Sequence, residues 1–235
     1  MTISFKTIAA AIVAMSMGSG ATAASFSLVG GTLGTIPDTA PVNQILDDPL
    51  IDGDGVANGF FGSTVELLGP GIGGVLVEFL GFEAGQVNTF SFGGADLFTT
   101  PGFVPGGVVN DPFPSVVVPA SFSSGSILDF AFTTQVGNKA PVSVANGSNP
   151  DDAGNGAGPL GINFFATFAL DGPGDARSGD VLFLFFDDDG ANNDDNHDDM
   201  AIRLSIVPPI PLPAAGFLLL AALGGLGVAS RRRKA

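Results

Sequence analysis

Short apolar runs, several of them alternating with polar residues, fill the body of this 235-residue chain. Residues 127–133 and 200–206 alternate with period two, which is typical of strands with one buried face. Residues 162–170 and 181–186 are almost continuously apolar, which predicts strands buried on both faces. Three shorter strands are expected at residues 75–80, 88–92 and 115–118. Because no long segment carries the helical period, the pattern predicts an all-β body.

Turn residues separate these runs and indicate how the strands are arranged. The chain contains 35 glycines and 17 prolines without a collagen-like repeat, which indicates many turns between short strands. About eight short strands divided in this way favour a β-sandwich of jelly-roll type. We therefore expect a single all-β sandwich domain over residues 24–207, with separate segments before and after it.

Charge and composition narrow the classes of partner. Five of the eight basic residues lie near the two ends of the chain, whereas all 23 acidic residues lie in residues 24–207, whose formal charge is therefore −20. Such a body repels phosphate groups and anionic lipid, so nucleic acid is excluded as a partner, and it attracts divalent cations. The chain has no cysteine, so no disulfide can stabilise the fold.

The N-terminal residues have the three parts of a secretory signal peptide. Lys6 supplies a positive charge, residues 8–17 form a short apolar run, and Ala21 and Ala23 give an A-x-A cleavage site. The alternative is an N-terminal membrane anchor, but the apolar run is too short to span a bilayer. Residues 1–23 are therefore expected to be removed after export.

The C-terminal residues 208–235 also have three parts. The first is a proline motif that comprises Ile210, Pro211, Leu212, Pro213 and Ala214. The uncharged residues 214–230 follow, and as a helix they would span roughly 25 Å, near the lower limit for one transmembrane helix. The last part is a basic tail at residues 231–235 that contains Arg231, Arg232, Arg233 and Lys234. Because positive residues stay on the cytoplasmic side, the body is expected to lie outside the cytoplasm.

This pattern resembles the PEP-CTERM class of bacterial sorting signals, and in particular its VPLPA-CTERM variant. In that family a membrane-embedded cysteine protease, an exosortase, is thought to cut near the proline motif and pass the protein to the surface. The resemblance implies residues 210–214 as the recognition motif, residues 214–230 as the removable helix and residues 231–234 as the membrane stop. This chain has Ile210 where valine is typical. The alternative is a permanent C-terminal anchor that is never processed.

An acidic segment between two predicted strands is the strongest chemical feature of the body. Residues 187–199 contain seven aspartates. Two unit charges about 4 Å apart repel by about 1 kcal/mol in water and about 4 kcal/mol near a protein surface, so a hairpin that gathers them favours a bound cation. Closely spaced Asp and Asn oxygens suit Ca²⁺ better than Mg²⁺. The predicted ligands are Asp187, Asp189, Asp194, Asp198 and Asp199. The alternative is an open, solvated loop without a tightly bound ion.

The hypothesis that the body is a catalytic domain has weaker support in the sequence. His197 is the only histidine, and in a chain without cysteine this nearly excludes transition-metal sites. A Ser-His-Asp site lacks a G-x-S-x-G nucleophile elbow. A glycosidase pair drawn from Glu66, Glu78 and Glu83 would lack the Trp and Tyr that usually stack on sugars. A second acidic stretch, Asp47-Asp48 with residues 52–55, is better explained as an acidic turn.

Three functions follow as expectations. The first is a non-enzymatic exported surface or matrix protein, stabilised by calcium and sorted by an exosortase; the resemblance links such proteins to exopolysaccharide and biofilm. It would be held in the inner membrane by its C-terminal helix before processing, then reach the cell surface or extracellular matrix of a Gram-negative bacterium. The alternative is a calcium-dependent, lectin-like carbohydrate-binding module. A polysaccharide hydrolase is the third.

Overall fold

The computed structural model describes residues 24–37, 43–51, 56–69, 73–119, 123–151, 161–171, 173–188 and 196–208. Every regular element in these residues is a β-strand. The predicted signal peptide, with Ala21 and Ala23, lies outside the described residues, and so do the proline motif, the membrane helix and the basic tail. Across the described ranges, no helix is long and apolar enough to cross a membrane.

Fourteen strands make up the described part of the chain. The first seven are β1 (Ser25–Pro37), β2 (Val56–Leu68), β3 (Gly74–Phe82), β4 (Val87–Phe92), β5 (Ala95–Thr99), β6 (Val108–Val109) and β7 (Ser115–Val118). The other seven are β8 (Ser126–Ile127), β9 (Phe130–Gln135), β10 (Val142–Ala145), β11 (Asn163–Thr167), β12 (Ser178–Gly179), β13 (Val181–Asp187) and β14 (Met200–Val207).

These strands form two sheets in which every pairing is antiparallel. The larger sheet has ten strands in the order β12-β1-β2-β11-β13-β14-β3-β6, with β7 also paired to β3 and β8 to β2. The smaller sheet has four strands in the order β10-β9-β4-β5. An all-β fold of antiparallel sheets is therefore confirmed.

Phenylalanine rings join the two sheets face to face. The buried positions of β4 and β9 alternate with half-buried ones, so that one face of the smaller sheet points inward. The Phe132 ring of that face lies parallel to the Phe186 ring of the larger sheet, with the centroids 4.8 Å apart. The Phe130 and Phe164 rings make a second contact between the sheets at 5.4 Å. Packing of two sheets through one apolar core is sandwich-like, as the sequence predicted.

The larger sheet also buries much of its second face. Along β11, Phe164 belongs to the core between the sheets, whereas Phe165 belongs to a separate core on the opposite face. Ile45 and Leu46, from a turn segment at residues 43–51, cover that opposite face. The strands predicted to be buried on both faces are confirmed as β11 and β13 in the middle of this sheet, although β11 covers only residues 163–167 of the predicted 162–170.

The prediction of one strand over residues 127–133 is wrong. Ile127 pairs with Glu66 of the larger sheet, whereas Phe130 pairs with Phe92 of the smaller sheet. The chain therefore crosses from one sheet to the other at Leu128 and Asp129. The alternating pattern continues through this crossover because Leu128, Phe130 and Phe132 all belong to the core between the sheets, whereas Ile127 is exposed.

The long β1–β2 hairpin was not predicted. Its register steps over Gly31 and Gly62, which both have positive φ, at 75° and 65°. A Cβ atom at Gly31 would lie 2.5 Å from the Phe61 carbonyl oxygen, so only glycine fits there. These irregularities interrupt the alternation in each strand, which is why the sequence pattern did not reveal them.

Candidate metal centre

The acidic segment closes the hairpin between β13 and β14. The last cross-strand pair is Phe186 with Met200, so residues 187–199 form the connection. The structure describes this connection at both ends, over residues 187–188 and 196–199. Of the five predicted ligands, Asp187, Asp198 and Asp199 fall in the described ends. Asp189 and Asp194 lie outside the described residues.

Three carboxylates at the base of this loop are buried. Asp187 is 3% exposed, Asp188 is 4% exposed and Asp198 is 1% exposed. Aspartate is seldom so completely buried unless a partner offsets the cost of removing its charge from water. The base of the loop is therefore part of the protein interior.

Asp188 and Asp199 are joined across the neck of the loop. The backbone N–H of Asp188 donates to Oδ2 of Asp199 at 2.7 Å, and the backbone N–H of Asp199 donates to the Phe186 carbonyl oxygen at 3.1 Å. On its other side, the Asp188 carboxylate accepts a hydrogen bond from Asn88 Nδ2 at 2.7 Å. Asn88 belongs to β4, so this contact links the acidic loop to the smaller sheet.

Electrostatic repulsion acts within this cluster. Burial raises the pKa of Asp199 well above its ordinary value of 3.8, and the charges of Asp188, Asp187 and Asp198 raise it further. The hydrogen bond from the Asp188 backbone N–H opposes that rise. The four carboxyl groups are thus close enough to disfavour full ionisation. A bound cation would remove this penalty.

The described residues do not by themselves complete the predicted ligand set. Within the described ranges, no three Asp, Glu or His side chains are grouped so that they could hold one metal ion. The five-aspartate set therefore stays a prediction, because it includes Asp189 and Asp194. At the neck of the loop, the Asp199 carboxylate accepts the backbone N–H of Asp188, and the Asp188 charge helps to raise the pKa of Asp199.

His197 has a structural position next to this cluster. Its backbone has a left-handed φ of 57°, and its side chain is completely buried. The ring Nε2 lies 2.5 Å from Asn163 Oδ1, and the ring packs edge-on against Phe61 at 5.2 Å. Because Asn163 Oδ1 can only accept a hydrogen bond, Nε2 carries the proton. A ring enclosed in this way is not accessible to a substrate.

Backbone contacts hold the end of the loop against neighbouring segments. Asn43 Nδ2 donates to the Asn196 carbonyl oxygen at 2.8 Å, which fixes the loop to the covering segment at residues 43–51. The backbone N–H of Glu83, just after β3, donates to the Asp198 carbonyl oxygen at 2.8 Å. The loop thus contacts β3, β4 and the covering segment, and its position affects all three.

An open cavity of about 350 Å³ lies beside the covering segment. One wall consists of residues 44–45 and 47–49, which include Asp47 and Asp48, and the other consists of residues 106 and 108–109. Asp47 is exposed at the surface. Asp47 and Asp48, from the stretch interpreted as an acidic turn, thus line a cavity that small polar molecules could enter, whereas residues 52–55 lie outside the described residues.

Sequence reasoning missed two residues that build this centre. Asp188 was passed over for Asp187 and Asp189, although Asp188 receives the hydrogen bond from Asn88 in the opposite sheet. Asn88 was assigned to a strand without a role. Its alternation with Phe90 and Phe92 places it on the inward face, so its burial could have been inferred. Its contact with a loop 100 residues away could not.

Comparison of the chain with protein-family models finds no match, and comparisons with curated proteins and with solved structures find none either.

Proposed function

We propose that the chain is an exported, non-enzymatic surface or matrix protein of a Gram-negative bacterium, sorted by an exosortase. The observation that carries this proposal is the sequence of residues 208–235, in which a proline motif, an apolar segment and a basic tail follow one another. An acidic all-β body that contains a buried aromatic core suits a stable extracellular module. By the same resemblance, the protein works in an exopolysaccharide or biofilm matrix.

The body of this protein is proposed to be a jelly-roll-like sandwich. The chain changes sheet four times, between β3 and β4, β5 and β6, β8 and β9, and β10 and β11. Repeated crossing between two packed antiparallel sheets is a property of jelly rolls. A sandwich of this kind places its loops at two ends, which fits an acidic loop concentrated at one end.

The sorting proposal is tested by the intact mass of the protein recovered from the cell surface. We expect a mass that lacks residues 1–23 and the C-terminal residues beyond the proline motif. Replacing both motif prolines (Pro211→Ala with Pro213→Ala) should leave the C-terminal segment attached. The matched control replaces Pro208 and Pro209, which precede the motif. A wild-type surface protein that retains Arg231 to Lys234 would overturn the proposal.

Calcium is proposed to stabilise the body through the acidic loop. The support is the buried cluster at the loop base, where Asp199 has a raised pKa because of burial and of the Asp188, Asp187 and Asp198 charges. A ligand that binds only the folded state stabilises it by RT ln(1 + [L]/Kd), so the melting temperature rises as the ligand concentration exceeds Kd. The purified protein should therefore melt at a higher temperature in calcium than in chelator. Equal melting temperatures would contradict this part of the proposal.

A lectin-like function is the second candidate, and the open cavity of about 350 Å³ favours it. Carboxylate and amide groups on one wall can accept or donate hydrogen bonds to sugar hydroxyls, and aliphatic residues lie on the other. Co-sedimentation of the full chain with the exopolysaccharide of the producing organism tests this function. Calcium-dependent pull-down that is lost in Asp47→Asn would favour it, with Asp96→Asn on the exposed β5 strand as control.

A further inference from the structure

One side-chain oxygen at the acidic end of the sandwich is buried without a hydrogen-bond donor. Asn88 is completely buried, and among the described residues no donor reaches its Oδ1 atom. The other half of the same amide, Nδ2, donates to Asp188 Oδ2 at 2.7 Å. Oδ1 and Nδ2 share one carbon atom, so Oδ1 belongs to the same buried amide group that contacts the Asp188 carboxylate. An oxygen in this position needs a hydrogen-bond donor or a cation, since leaving it unpaired in the interior is costly.

Both backbone polar groups of Asn88 bond to Thr100, which fixes the point from which the side chain leaves β4. Its N–H donates to Thr100 Oγ1 at 2.8 Å, and the N–H of Thr100 donates to the Asn88 carbonyl oxygen at 2.8 Å. Thr100 is itself buried. The amide of Asn88 is therefore held at the acidic loop by a rigid connection, which is what a preorganised ligand position requires.

We infer that Asn88 Oδ1 is a ligand of the cation bound at the acidic loop, and that this cation joins the two sheets. Asn88 belongs to β4 of the smaller sheet, whereas Asp188 and Asp199 flank the β13–β14 hairpin of the larger sheet. The inference rests on the proposed calcium binding and names a ligand and a role for it. It does not need residues outside the described part of the chain.

The chemistry of this oxygen set suits a hard divalent cation. Calcium accepts carboxylate and amide oxygens in flexible geometry, and six to eight such oxygens surround it, with water filling open positions. Two carboxylates and one neutral amide oxygen supply two negative charges, which balance the charge of the ion. A trio of acidic side chains, which the described residues do not provide, is unnecessary if an amide is the third ligand. A monovalent cation would leave part of the repulsion uncompensated.

Two substitutions at one position separate a ligand from a merely structural amide. Asn88→Ala removes both the Oδ1 ligand and the hydrogen bond to Asp188. Asn88→Asp keeps an oxygen in place of Oδ1 but removes the N–H donor and adds a negative charge. Full-length wild type and both full-length variants are titrated with calcium chloride. The melting temperature and the calcium Kd of each protein are measured.

The two variants are expected to respond in opposite directions. Asn88→Ala should weaken calcium binding by about tenfold or more and lose most of the calcium-induced rise in melting temperature. In chelator, Asn88→Asp should melt below wild type because its new charge faces Asp188, and calcium should then raise its melting temperature by more than in wild type. The matched control is Asn146→Ala, because both amide atoms of Asn146 already bond to the backbone of Val65. That variant should lower stability and leave the calcium response unchanged.

Two outcomes would overturn the inference, and they differ from each other. If wild type responds to calcium and both Asn88 variants show the wild-type calcium shift, Asn88 is not a ligand, although calcium binding by the loop stands. If wild type itself shows no calcium shift, both this inference and the proposed calcium binding fail. Loss of the shift in Asn88→Ala together with its increase in Asn88→Asp supports the inference.

Discussion

The two sheets are joined in two chemically opposite ways. In the core between the sheets they meet through phenylalanine rings, such as Phe132 on Phe186 with the centroids 4.8 Å apart. At the acidic end they meet through a polar contact, Asn88 to Asp188, beside a cluster of buried carboxyl groups. The first contact gains stability from removal of apolar surface from water. The second depends on how charge is balanced around the carboxylates.

This difference indicates that one part of the interface between the sheets is insensitive to ions and pH, whereas the other part is sensitive to them. Aromatic packing responds little to ions or to pH, because it contains no titratable group. The acidic end is expected to change with both, because the pKa of Asp199 is raised by burial and by the Asp188, Asp187 and Asp198 charges. We therefore expect ions and pH in the surrounding solution to alter the stability of this end without changing the core.

The largest effect is expected from breaking the aromatic part. Phe132→Ala removes a completely buried ring that contacts both sheets, and it should lower the free energy of unfolding by about 3 to 5 kcal/mol. The loss should be the same in calcium and in chelator, as measured by denaturant unfolding. Phe103→Ala is the control, since Phe103 is 73% exposed and its loss should change stability little. If calcium largely restored the free energy of unfolding that Phe132→Ala loses, the aromatic and acidic parts would not be separate.

A smaller effect of opposite sign is expected from neutralising the acidic part. Asp199→Asn keeps an oxygen that can accept the Asp188 N–H and removes one negative charge. In chelator at neutral pH, the free energy of unfolding should rise by about 1 kcal/mol or more, because like-charge repulsion is relieved. In calcium, the increase in free energy of unfolding over wild type should be smaller than in chelator, because the variant has lost one carboxylate ligand for the ion. Destabilisation in chelator would show that the Asp199 charge is already compensated without a cation.

The pH dependence of stability in the metal-free protein should show the cost of the Asp199 charge directly. The pKa of Asp199 is raised in the folded state, chiefly by burial and then by the neighbouring carboxylates. Its contribution to stability is therefore fully present below the ordinary value of 3.8 and is lost as the pH rises through the raised pKa. The free energy of unfolding is measured for wild type and for Asp199→Asn at a series of pH values in chelator. The wild-type value minus the variant value should become more negative over that pH window. A difference that does not change with pH would contradict the raised pKa.

The smallest effect is expected from the ion pair of the larger sheet. Arg203 Nε donates to Glu78 Oε2 at 2.7 Å, and both side chains are partly exposed, at 29% and 15%. Partial exposure screens the pair, so Glu78→Gln should cost about 1 kcal/mol or less. The cost should be equal in calcium and in chelator. If the stability lost in Glu78→Gln differed between calcium and chelator, the acidic end would influence the whole larger sheet, contrary to expectation.

Periodicity predicted the fold class, but it did not predict which elements meet. The strands at residues 181–186 and 200–206 were correctly placed, because apolar runs and alternation depend only on burial. The alternation in residues 127–133 concealed a change of sheet at Asp129. Glycines at positive φ concealed the β1–β2 hairpin. These features depend on backbone geometry that a hydrophobic pattern does not record.

The candidate site was predicted in outline for a similar reason. Seven aspartates in a connection between two strands indicate crowded charge from the sequence alone. The importance of Asp188 over its neighbours depends on the direction in which each side chain leaves the end of β13. The role of Asn88 depends on the packing of one sheet on the other, because 100 residues separate it from Asp188. Long-range contacts of this kind follow from topology, not from local pattern.

Amide hydrogen exchange of the full-length chain, with calcium and with chelator, tests most directly whether a cation joins the two sheets. Calcium should slow exchange at the acidic end of both sheets, in β4 around Asn88 and in β13 around Phe186, and leave the β1–β2 hairpin unchanged. Slowed exchange confined to residues 187–199, or no change at all, would contradict the account.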